Sequence, residues 1–211
     1  MEERANPGVT VPINPRHFSL PASGFPLFNP SMSIGFKEWT LVCDALGRGD
    51  QSIIIRKGGI HEGREGFRFQ HDEFYLFPTL FHEQVARLKL PGETPLPQGI
   101  PGQITIQTMA RCEGTELVAD LEKVQALAPF HIWKQEIVDE RFHYDEVQGV
   151  HVAFLRVYQL SRPWSFPDEP KYGGCRSWVN LPEMPPEIHL IPALDDASHA
   201  ERICQIKAVL A

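Results

Sequence analysis

The sequence predicts an α+β fold: a mixed or largely antiparallel sheet with packed helices, behind a disordered N-terminal tail. Three observations carry that expectation. Apolar residues recur at helical spacing in some windows and at alternate positions in others. Both kinds of window occur on either side of a proline- and glycine-rich stretch, residues 91–102. The first 33 residues carry prolines at 7, 12, 15, 21, 26 and 30 with no apolar period, which removes backbone donors and leaves little to bury. The expected organisation is a tail over 1–33 and one α+β domain over 34–211, with 91–102 as the point where two sublobes would join.

From Phe36 the pattern turns helical: Trp39, Val42, Cys43 and Leu46 share a face, and Gly47 supplies a stop. QSIIIRK then reads as a buried strand ended by Gly58 and Gly59. GFRFQ alternates as a half-exposed strand and EFYLF continues as another, so most of the stretch from Arg56 to Thr79 reads as a hairpin. Thr79 is a candidate N-cap for a helix carrying Phe81, Val85 and Leu88. Beyond the linker, QITIQTMARC is a strand, and DLEKVQALAPFHIWKQEIVDERF holds two helical segments separated at Pro129. GVHVAFLRVYQL is apolar on both faces and belongs in the middle of a sheet. GCRSWVNL and EIHLI are short strands, and DDASHAERICQIKAVL closes as a helix with aspartates at its positive end. The expected core contains Trp39, Val42, Ile53, Ile55, Tyr75, Phe77, Val152, Phe154 and Leu155.

Composition narrows the function. With 211 residues, 42% hydrophobic and 22% charged, the chain is long enough to bury a core, and no apolar run approaches a membrane span. MEERANPGVT lacks a positive segment followed by an apolar one, so no secretory signal is expected and a cytoplasmic address follows. Cys43, Cys112, Cys175 and Cys204 are widely spaced and read as reduced thiols. A formal charge of −7 argues against a protein that coats nucleic acid, while leaving room for a local basic pocket.

The stretch RKGGIHEGREGFRFQHDEFYLFPT concentrates the candidate chemistry. Arg56, Lys57, Gly58 and Gly59, with Arg64, could hold a phosphate or carboxylate on cations and bare amides. No helix pattern follows the glycines, so the stretch is neither a P-loop nor a dinucleotide fingerprint. His61, Glu62, His71, Asp72, Glu73, His82 and Glu83 are metal-ligand types, but Ala86 stands where a zinc-protease histidine is required. Glu136, Glu140 and His143 share a helical face that reads as exposed charge. Cys175, in YGGCRSW, sits at a glycine turn beside Arg176 and reads first as a packing residue.

Taken together, FKEWTLVCDALGRGDQSIIIRKGGI, EFYLFPTLFHEQ, FHIWKQEIVDERF, LRVYQL and YGGCRSWVNLP resemble an uncharacterised bacterial family, domain of unknown function 1802. The resemblance runs from Phe36 to about Pro182. It implies a bacterial cytosolic protein and carries no activity, cofactor or catalytic residue that could be transferred. The order helix, three strands, helix, strand is also similar to the core of PD-(D/E)XK nucleases, which bind magnesium through acids on the first helix and adjacent strands. That resemblance would place Glu38 as the helical acid and Asp72 or Glu73 as strand acids. It departs from the pattern at Tyr75, where lysine is required, so Lys57 would supply the cation.

The expected function is a binding module for a phosphate-bearing ligand, a nucleotide or nucleic acid, held by Arg56, Lys57, Gly58, Gly59 and Arg64. The alternative is a magnesium- or manganese-dependent phosphodiesterase using Glu38, Lys57, Asp72 and Glu73.

Overall fold

The computed structural model describes residues 33–57, 69–80, 83–91, 94–144 and 146–211. The tail expected over 1–33 lies outside them except for Ser33, as do Gly58, Gly59, His61, Glu62, Arg64 and His82.

The first element is a strand, β1 (Ile34–Trp39), and only then comes helix α1 (Thr40–Gly47). A helix beginning at Phe36 is thereby corrected. Phe36 and Glu38 are buried while Lys37 between them is partly exposed, and pairing on both edges overrides the helical reading. The chain continues as β2 (Ile53–Arg56), β3 (Glu73–Thr79) and one short turn of helix, α2 (Gln84–Arg87). Thr79 is not the residue that precedes α2: its hydroxyl donates to the Glu38 carbonyl at 3.0 Å, and Glu83 stands at the start of that helix.

After the coil at 94–102 come β4 (Gln103–Val118), α3 (Leu121–Ala126), a 3-10 turn at Ala128–Phe130 and α4 (Gln135–Phe142). β5 (Val150–Pro167), a second 3-10 turn (Pro170–Tyr172), β6 (Trp178–Asn180), β7 (Leu190–Pro192) and α5 (Asp196–Leu210) complete the order.

Among the described residues the strands form one seven-stranded, mixed and mostly antiparallel sheet in the order β2-β5-β4-β3-β1-β6, with β7 on β5. β1 and β3 are its parallel pair. β4 and β5 form the long central ribbon, with irregularities at Ile106/Thr108 and Cys112/Gly114 that let it bend. Of the hairpin expected from GFRFQ and EFYLF, residues 66–68 lie outside the described residues, and EFYLF forms β3. β2 pairs with β5, and β3 with β1 and β4, so two strands separate β2 from β3. Ile53, Ile54 and Ile55 are each at most 1% exposed, and a strand buried on both faces finds its partner in the equally apolar β5.

Helices cover one face through Leu41, Val42, Leu46, Val124, Val138, Ile206 and Leu210; the other face gathers Tyr75, Phe77, Ile106, Met109, Trp164 and Phe166. The expected core residues are all buried except Trp39, which is half-buried and packs on Trp133 with ring centroids 4.6 Å apart. No helix among the described residues is long and apolar enough to cross a membrane, and all four cysteines are free.

The sheet curls until its ends meet. β6 covers the start of one edge of β1 through Ile34–Phe36, and Lys37 N–H donates to the Ser177 carbonyl at 2.8 Å. Where β6 stops, Arg56 at the end of β2 reaches the Lys37 carbonyl at 2.5 Å. A side chain closes the seam that strand pairing leaves open.

Candidate functional site

Arg56 is held from three sides at that seam. One guanidinium nitrogen lies 3.4 Å from Glu38 Oε2 as well as donating to Lys37, and the group sits 4.9 Å from the centroid of the Phe36 ring. Glu38, 2% exposed, also accepts the Trp39 N–H at 2.8 Å. Arg141 lies 3.6 Å over the Trp133 ring and donates to the Ile55 carbonyl at 2.9 Å. Burial lowers the Arg141 pKa to about 10, against the pull of Glu38 and with the push of Arg56 and Arg87. Lys57 donates to the carbonyls of Phe142 at 3.3 Å, Gly149 at 3.0 Å and Val147. Two of the three cations of the expected anion site, Arg56 and Lys57, therefore have partners within the fold, and its other members, Gly58, Gly59 and Arg64, lie outside the described residues.

The acids of the nuclease alternative are apart. β1 and β3 pair with Glu38 opposite Pro78, five residues along the strand from Glu73, or roughly 16 Å. Glu73 instead meets Arg111 across the β3–β4 pair, at 2.9 and 3.0 Å. The Asp72 carbonyl accepts the Cys112 N–H at 2.7 Å. Lys57 is engaged at the C-terminal end of α4. Among the described residues no group of three or more His, Cys, Asp or Glu side chains could hold a metal ion. Glu136, Glu140 and His143 are exposed, as a charged helix face should be.

What the fold does assemble is a pocket at the β1–β6 edge. Its volume is about 190 Å³, and its lining includes His71, Lys171, Arg176, Trp178 and Asn180, with Ile34 and Val179. Three separate segments supply the polar and aromatic groups. His71 comes just before β3, Lys171 from the second 3-10 turn, and the rest from β6 and its approach. Pairing of Phe36 with Trp178 and Ile34 with Asn180 fixes the wall. The indole is seated against Phe36, 4.8 Å between centroids, and Phe74, 5.3 Å, with the His71 ring edge-on at 5.0 Å.

Charge is concentrated beside that indole. Arg176 is exposed and makes no ion pair or hydrogen bond among the described residues. Lys171 is paired with Glu169 at 2.9 Å, both side chains about half exposed at 55% and 48%. Lys37 donates to the Gly174 carbonyl at 3.0 Å; burial, then Arg176, lowers its pKa, while Cys175 and Asp168 oppose that shift. Unpaired positive charge next to a flat apolar wall and an amide can hold an anion attached to a ring.

Sequence reasoning reaches this place only in part. Arg176 and Trp178, alternating after two glycines, are legible as a cation and an aromatic together. Lys37, Lys171 and Asn180 carry no local signal, because the pairing of distant segments is what brings them to one edge.

A family model described as a domain of unknown function, DUF1802, matches residues 35–205. No curated protein matches. Among solved structures, the chain is similar to the crystal structure of ASCH from Zymomonas mobilis, with a TM-score of 0.40 and 10% identity, over 82% of this chain and 94% of that one. Two mutant forms of that protein give TM-scores of 0.41 and 0.38 at 9% and 12% identity, over 85% and 63% of this chain and 99% and 74% of theirs.

Proposed function

The chain belongs to the DUF1802 family, a domain of unknown function, and we propose that it is a binding module for a phosphate-bearing ligand, a nucleotide or nucleic acid. The observation that carries this reading is Arg176, a cation without a counter-charge among the described residues, which lines a pocket together with Trp178 and His71. A phosphate there would gain a charge-assisted hydrogen bond from Arg176 and could displace Glu169 from Lys171 at small cost, since exposed pairs are worth about 0–1 kcal/mol. The formal charge of −7 argues for few phosphate contacts.

The stretch beginning at Arg56 is a second place to test for the phosphate, supported by Arg56 Nε, which is buried without an acceptor among the described residues. Paired variants separate the two. Calorimetric titration with nucleoside monophosphates and short oligonucleotides, at low and moderate salt, should show binding that weakens as salt rises. Loss of that binding when Lys171→Ala is combined with Arg176→Ala, and its retention when Arg56→Ala is combined with Lys57→Ala, would place the phosphate at the pocket. Absence of binding to every phosphate compound would overturn the reading.

A further inference from the structure

Resting on that reading, we propose that the β1–β6 pocket takes a single unpaired base of a single-stranded nucleic acid, while Arg176 and Lys171 hold the adjoining phosphates outside it. Size is the first reason. At about 190 Å³, the pocket falls below the roughly 300–1,000 Å³ of clefts that enclose a whole drug-sized ligand. It admits a fragment of something larger.

The second reason is the lining. Trp178 lines the space with an aromatic ring of the kind on which bases stack, and that ring is braced by Phe36 and Phe74 so that stacking needs little reorganisation. Asn180 lines the same space with both a donor and an acceptor, the pair of functions that a base edge presents. In a duplex those edges are already paired and the faces already stacked, so an unpaired base is the form that fits.

Charge is the third reason. Duplex binding without base insertion depends on many phosphate contacts, and this chain has 20 Lys and Arg against 27 Asp and Glu. Lys171 and Arg176 line the pocket and Lys37 lies within electrostatic reach of Arg176, so this edge would provide two to three phosphate contacts. Aromatic stacking must then supply much of the affinity.

The test uses the full chain and fluorescence-anisotropy titration of labelled six-nucleotide single strands, ribose and deoxyribose in parallel, against the matching duplexes, fully abasic strands, mononucleotides and inorganic phosphate. Single strands should bind about tenfold or more tighter than duplex or abasic strands. Their salt slope should be about −1.4 to −2.1, and Arg176→Ala should reduce its magnitude by about 0.7. Asn180→Ala should alter the preference among bases and leave the salt slope unchanged. Trp178→Leu should abolish the advantage over abasic strands, and because Trp178 packs on Phe36, the Asn180 variant stands as the measurement independent of folding. Equal affinity for duplex or abasic strands would overturn the base-in-pocket proposal. Mononucleotides binding as tightly as the strands would overturn it too, leaving the phosphate-binding reading intact; no binding by any of these probes would overturn both.

Discussion

At Glu38 a carboxylate 2% exposed survives burial because Arg56 and the Trp39 N–H supply what water would otherwise provide. Removing Glu38 leaves Arg56, 23% exposed, without its counter-charge and with a buried Nε already lacking an acceptor among the described residues. Glu38→Ala is expected to cost about 3–5 kcal/mol, whereas Glu38→Leu combined with Arg56→Met should recover most of the loss, as read by urea denaturation. His131 is the opposite case, a buried histidine that must stay neutral. Its Nδ1 accepts the Trp133 N–H at 3.1 Å, and burial, with Lys89 and Arg141 nearby, lowers its pKa to about 3. The unfolded chain therefore takes up a proton that the folded one refuses. Stability tied to this residue is fully present above about pH 6.5 and is lost as pH falls from there towards 3, at up to ~1.4 kcal/mol per pH unit. Between pH 7 and 5.5 the loss should be about 1 kcal/mol, and His131→Asn, which keeps an acceptor for Trp133, should flatten it in denaturant titrations.

At the scale of elements, the connection from α1 to β2 shows how one backbone conformation fixes a partner. Gly49 has φ +76°, and a Cβ there would stand 2.7 Å from a methyl of Leu194. Gly102 has φ +73° with nothing within 4 Å of the same atom. Gly102→Ala should cost about 1–2 kcal/mol for the left-handed backbone alone, and Gly49→Ala more, the difference in thermal denaturation reporting the contact with the segment that leads into α5. The glycine turn is legible in GRGD, as are β2, β3, β5 and α5 from their periodicities. β1 is not, because FKEW fits either period until β3 and β6 are laid beside it. The strand order is equally hidden: β2 and β3 follow one another among the described strands, yet burial of both faces of β2 sends it to β5, leaving two strands between β2 and β3.

For the whole molecule, β5 is the element on which the others depend, since it pairs with β4 on one edge and with β2 and β7 on the other. Phe154, 5% exposed, lies where Ile53 and Gly114 flank it in the sheet. Phe154→Ala is expected to cost about 3–5 kcal/mol, measured by chemical denaturation with the ellipticity of the folded state as a check on structure. The same sheet, by curling until β2 meets β1, turns Arg56 inward to Glu38 and leaves the β6 edge to carry the exposed cation Arg176.

By itself the sequence determined the α+β class, nearly every element after β1 and the identity of the core, because period and burial are properties of neighbouring residues. Tertiary structure decided which cations are available. Arg56 and Lys57 look free in a string of polar residues, but chain closure gives them a carboxylate and four carbonyls as partners. His71, Lys171, Arg176, Trp178 and Asn180 become one pocket because β6 pairs with β1. The reason is physical: hydrophobic period acts over a few residues, whereas the pairing of a polar group depends on which distant segment the fold brings within hydrogen-bonding distance.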